Sequence, residues 1–146
     1  MKVLVAFDNS DVARKALHFS LKFKDVFTEY IICYVSPIAV GTGPSFDAYV
    51  PASMYQQGES GNDEVMESAR SMVESISIQA TYVKLDSPGE QVARVMVKAA
   101  EDRDVDLIIT GTRKLTGLSK VLLGSVSSEL IKLSKIPVMV VPPDGL

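Results

Sequence analysis

Short runs that are apolar at almost every position alternate along this chain with segments whose apolar residues recur at helical spacing, and few folds accommodate that alternation. Residues 2–7, KVLVAF, are apolar on both parities after Lys2, so a strand there needs cover on both faces, as in a parallel sheet. Further strands are expected at about 29–35, 78–84, 106–110 and 137–141. Ser10 reads as the N-cap of a first helix with Asp11 in its first turn, and Val12, Ala13, Ala16, Leu17 and Leu21 form its inward stripe. Met66, Ala69, Val73 and Ile76 mark a second helix beginning near 62–64. Pro88-Gly89-Glu90 opens a third, with Val92, Val95, Met96, Ala99 and Ala100 inward, and a fourth spans about 125–134. Five strands and four helices in this order predict an α/β fold with a doubly wound parallel sheet and right-handed crossovers. The expected unit is a single domain over 1–146. Residues 36–61 are rich in proline and glycine and lack a period, which predicts a long loop.

Composition narrows the function classes. A net charge of −3 leaves no basic excess to neutralise a phosphate backbone, which argues against nucleic-acid binding. No apolar stretch reaches membrane-spanning length, and the chain opens on a strand rather than a signal peptide, so the expected location is cytoplasmic. The single cysteine, Cys33, lies within Ile31-Ile32-Cys33-Tyr34-Val35 and reads as a core residue in a reduced protein.

The chemistry concentrates in residues 110–126, TGTRKLTGLSKVLLGSV. A glycine at a strand end, a basic loop with Arg113, Lys114 and Lys120, and then Gly124-Ser125-Val126 opening a helix make the layout of a phosphate cradle. The first helical amides lack intrahelical acceptors, and the helix dipole adds positive charge at the same end. In a doubly wound sheet the ligand crevice lies beyond the carboxyl ends of the strands, where strand order reverses. With the first and fourth strands as central neighbours, Asp8, Gly111 and the segment after Val35 converge there.

These residues resemble the universal stress protein family, whose fingerprint is G-x-x-G, nine residues, then G-[ST]. The resemblance runs through Asp8-Asn9-Ser10, Gly111, Leu122-Leu123-Gly124-Ser125-Val126-Ser127 and the closing Ile136-Pro137-Val138-Met139-Val140-Val141. Lys114 stands where the family's second glycine belongs, a departure within the ligand motif. The resemblance implies an adenine nucleotide alpha-hydrolase-like fold with strand order 3-2-1-4-5, and a homodimer. Some members bind ATP and others do not. For a binder, the resemblance implies that Val35 meets adenine and that Ala6, Phe7 and Asp8 lie at the ribose, with Asp8 also the candidate contact to a magnesium ion. It implies that Gly111, Gly124, Ser125 and Val126 hold the phosphates, with Arg113 and Lys114 nearby. ATP, with or without Mg, is the expected ligand, and AMP or ADP remain alternatives. Lys114 either offsets phosphate charge or, lacking glycine's access to positive φ, obstructs the site.

A regulatory ATP-binding protein is therefore the leading expectation, and a dimeric interaction module without nucleotide is the alternative. No Walker motif, second acid beside Asp8 or histidine near the loop supports efficient turnover, so slow ATP hydrolysis is at most incidental. A phospho-receiver reading, with Asp86, Thr110 and Lys135, lacks the paired acids such a domain needs. His18 reads as a surface residue, and Phe19, Phe23 and Phe27 as the margin of the core. The uncharged last strand, 137–141, is expected at a sheet edge, where pairing with a second copy would cover it.

Overall fold

The computed structural model describes residues 1–38, 64–88, 91–113 and 123–143; Lys114 and Lys120 lie outside them. The strands are β1 (Lys2–Ala6), β2 (Glu29–Ile38), β3 (Ala80–Pro88), β4 (Leu107–Gly111) and β5 (Val138–Val141). The helices are α1 (Asp11–Leu21), α2 (described over 64–73), α3 (Val92–Glu101) and α4 (Ser125–Leu133). All strand pairs are parallel, in the order β3-β2-β1-β4-β5. The fold class and strand order expected from the sequence are those observed.

The alternation of β1 sorts the core into two layers. Val3 and Val5 join Ala16, Leu17 and Val73 on the face covered by α1 and α2. Leu4 and Ala6 join Met96, Val97 and Leu130 on the face covered by α3 and α4. Ser10 caps α1 by accepting from the Ala13 amide at 3.3 Å. Phe19, Phe23, Phe27 and Tyr30 form a chain of neighbouring rings; Phe19 and Phe23 lie at the margin of the first layer, whereas Phe27, expected there too, is buried inside it with Tyr30. His18 is exposed, and Cys33 is buried.

Three boundaries differ from expectation. Residues 36–38, read as loop, continue β2, and β3 runs to Pro88 instead of ending near 84. Both strands tolerate their prolines for the same reason. The Cys33 carbonyl accepts from Phe7, the residue after β1, so Pro37, an even number of residues on, faces that same side, where β1 has already ended. The Gln79 carbonyl accepts from Tyr30 of β2, so Pro88 faces away from β2, along the open edge of the sheet. Neither missing N–H removes a ladder bond. The third helix then starts at Val92, with Gln91 at the N-cap position making no side-chain capping bond, rather than at Pro88.

Burial pushes the Tyr30 phenol and the Cys33 thiol each up to about 12, from ordinary values of 10.0 and 9.0. Asp25 reinforces the shift at Tyr30, and Arg103 partly opposes it at Cys33. The fold therefore holds both protons more tightly than the unfolded chain does. Their contribution to stability is complete below the unfolded values and is lost as pH rises toward 12. Urea titrations should show stability falling across that alkaline window. Tyr30 also donates to the Ser20 carbonyl at 2.8 Å, so Tyr30→Phe should cost about 1 kcal/mol at pH 7 and flatten the loss above pH 10.

Candidate functional site

The sheet sends the chain to opposite sides from its centre, with β2 on one flank of β1 and β4 on the other, and the crevice opens at their carboxyl ends. At the end of β1, Ala6 and Phe7 are buried and Asp8 is exposed. Asp8 Oδ1 accepts from the Ser10 amide at 3.0 Å and from the Ser10 hydroxyl, closing a local turn that leads into α1. Asn9 takes a left-handed φ of 65° within that turn. Its side-chain oxygen accepts from Ser68 of α2 at 2.6 Å and from Arg14 at 3.0 Å, so the turn is anchored from outside the crevice.

Opposite this turn, β4 ends at Gly111, and Thr112 follows, buried to 2% exposure. The Thr112 amide donates to the Val141 carbonyl at 3.0 Å, which ties it to the end of β5. Gly124 is the N-cap of α4, and its amide donates to Thr112 Oγ1 at 3.2 Å. Ser125, Val126 and Ser127 begin the helix, and their N–H groups fall where the helix offers no acceptor.

A cavity of about 640 Å³ lies between these segments, within the range typical of small-molecule sites. Ala6, Phe7, Asp8, Val35, Gly111, Arg113, Gly124, Ser125 and Val126 all line it, so the structure brings together every described residue singled out for the site. It adds Tyr34 from β2, Val92 and Met96 from α3, and Thr112. Val92 and Met96 carried a helical signal that reads only as core, and Thr112 carried none beyond its place beside Gly111. The receiver arrangement does not form, because Asp86 sits on edge strand β3, separated from β4 by β2 and β1. Among the described residues no group of three or more His, Cys, Asp or Glu could hold a metal ion.

The two glycines of the cradle meet different surroundings. A Cβ on Gly111 would fall 2.5 Å from the Val12 carbonyl oxygen and 2.7 Å from its carbon, so this glycine lets the first turn of α1 press against β4. A ligand is not the neighbour that demands it. A Cβ on Gly124 would meet only Ser127 Oγ at 3.7 Å, an ordinary contact, and no protein atom requires glycine there. Gly111→Ala should therefore cost about 1–3 kcal/mol in urea denaturation, because the backbone it strikes cannot swing aside. Gly124→Ala should cost at most about 1 kcal/mol, the scale of an N-cap preference.

Comparison with known proteins gives a consistent result. Residues 1–142 match the family model described as the universal stress protein family. The chain is 30% identical to universal stress protein YxiE of Bacillus subtilis, over 96% of this chain and 97% of that protein. A universal stress protein of Archaeoglobus fulgidus, solved in complex with dAMP, superposes with a TM-score of 0.66 at 20% identity, covering 96% of each chain. A universal stress protein family member from Arabidopsis thaliana, solved with AMP bound, gives 0.67 at 17% identity, covering 97% of this chain and 91% of that one.

Proposed function

Because this chain belongs to the universal stress protein family, we propose that it is an adenine-nucleotide-binding regulatory protein of the stress response, whose output is occupancy rather than turnover. The observation that carries this reading is the open space at Gly124, beside the first amides of α4 and within the crevice at the sheet's switch point. That arrangement suits a phosphate, which needs close approach, outward N–H donors and a positive helix end. The dAMP and AMP carried by the two structural relatives support adenine nucleotides as the ligand class.

In this reading ATP is the ligand, and AMP or ADP occupy the same adenosine pocket. Val35 and Ala6-Phe7 enclose the base and sugar, and Asp8 contacts the ribose or a magnesium ion accompanying the phosphates. Gly111, Gly124, Ser125 and Val126 receive the phosphates, with Arg113 and Lys114 contributing positive charge. Among the described lining residues Asp8 is the one carboxylate and no histidine is present, which favours binding over hydrolysis. The proposal includes a cytoplasmic homodimer joined through β5, whose Val138, Met139 and Val140 are half-buried at the sheet edge. Among the described residues no helix is long and apolar enough to cross a membrane.

Lys114 in place of the family's glycine keeps one alternative in view, a dimeric interaction module without nucleotide. Calorimetric titration with ATP and AMP separates the two readings. Binding by the natural chain, abolished in Gly124→Val while the melting temperature stays within a few degrees, is the expected result. No heat with either nucleotide would leave the interaction module.

A further inference from the structure

We infer that Thr112 is the positioning residue of the phosphate cradle, the side chain that sets where the first amides of α4 stand relative to the crevice. The inference rests on the nucleotide-binding reading above and adds to it a residue that itself need not touch the ligand. Three observations carry it. The Thr112 side chain is buried, at 2% exposure, so its hydroxyl is committed to the protein interior. Its Oγ1 accepts the Gly124 amide at 3.2 Å, at the N-cap from which α4 starts. Its own amide is bound to the Val141 carbonyl at 3.0 Å, which fixes Thr112 to the sheet.

These contacts run in series from β5 through Thr112 to Gly124 and into the helix. Among the described residues, α4 is also attached by contacts of a different kind. Leu130, with Val126 and Leu133 beside it, packs into the apolar layer shared with α3. Apolar packing is non-directional, so it holds a helix in place without deciding where its end amides point. A hydrogen bond between a buried hydroxyl and the N-cap amide supplies that direction. The Gly111 backbone, pressed on Val12, gives the bond a fixed base one residue earlier. Gly124 itself offers no side chain to cap the helix, so Thr112 holds the helix start from the neighbouring end of β4.

The consequence is selective. Loss of the Thr112 hydroxyl should misplace amides that serve a phosphate while leaving the adenosine end of the pocket, at Val35 and Ala6, undisturbed. Titration calorimetry with AMP and with adenosine, on the full chain, reads this directly. Thr112→Val keeps the shape and removes the hydroxyl, and should weaken AMP about tenfold while adenosine stays within about twofold. Thr112→Ser restores the hydroxyl and should return AMP affinity to within about twofold of the natural chain. Thr112→Ala adds no bulk, carries the same expectation as valine, and decides the matter if the valine variant does not fold. Unchanged AMP affinity in the valine and alanine variants would overturn the assignment, as would an equal loss of AMP and adenosine or a serine variant as weak as valine. Failure of the natural chain to bind either AMP or ATP would instead overturn the reading of the site, and this inference with it; if ATP alone binds, the same comparison is read with ATP in place of AMP.

Discussion

The backbone of Gly111 lies against the backbone of Val12, and the shape of the crevice follows from that approach. Any side chain at 111 would drive the end of β4 away from the first turn of α1. With that contact in place, the turn Asp8-Asn9-Ser10 and the segment Gly111-Thr112-Arg113 border one cavity. Parallel pairing of β1 with both β2 and β4 places these strand ends side by side, and the glycine lets the covering helix reach them. Close packing of this kind transmits small changes, because protein interiors have little slack. The architecture and the site therefore share one contact.

A residue type that looks the same twice in the sequence plays two parts in space. Gly111 is required by a neighbouring backbone, whereas Gly124 is bordered by room. The first glycine builds the scaffold, and the second leaves a gap at a helix N-terminus where donors and dipole point outward. Family membership and the adenine nucleotides held by structural relatives give that gap its proposed occupant. Asp8 belongs to the opposite wall, held in a self-contained turn by Ser10 and braced from behind through Asn9, Arg14 and Ser68.

Much of this was legible in the residues. The apolar run at 2–7 demands cover on both faces, and the two core layers sort Val3 and Val5 from Leu4 and Ala6 as that demand requires. Ser10 is a cap by chemistry as well as by position. The residues proposed for the site, Ala6, Phe7, Asp8, Val35, Gly111, Arg113, Gly124, Ser125 and Val126, line one cavity because strand ends in such a sheet converge at its carboxyl edge. The strand limits were less legible. Pro37 falls in a stretch that reads as loop and Pro88 in one that reads as a helix start, yet a proline ends a strand only if its missing N–H faces a partner, and that direction depends on register.

Hydrophobic period and turn chemistry act over a few residues, so the sequence alone determined the order of elements, the doubly wound class and the first helix cap. The pairing of distant segments acts through contacts that no local pattern records. Only the tertiary structure decided that Gly111 answers to Val12, that Thr112 reaches Gly124, and that Tyr34, Val92 and Met96 join the crevice wall. Each of those facts depends on how close two backbones come once the whole sheet is assembled.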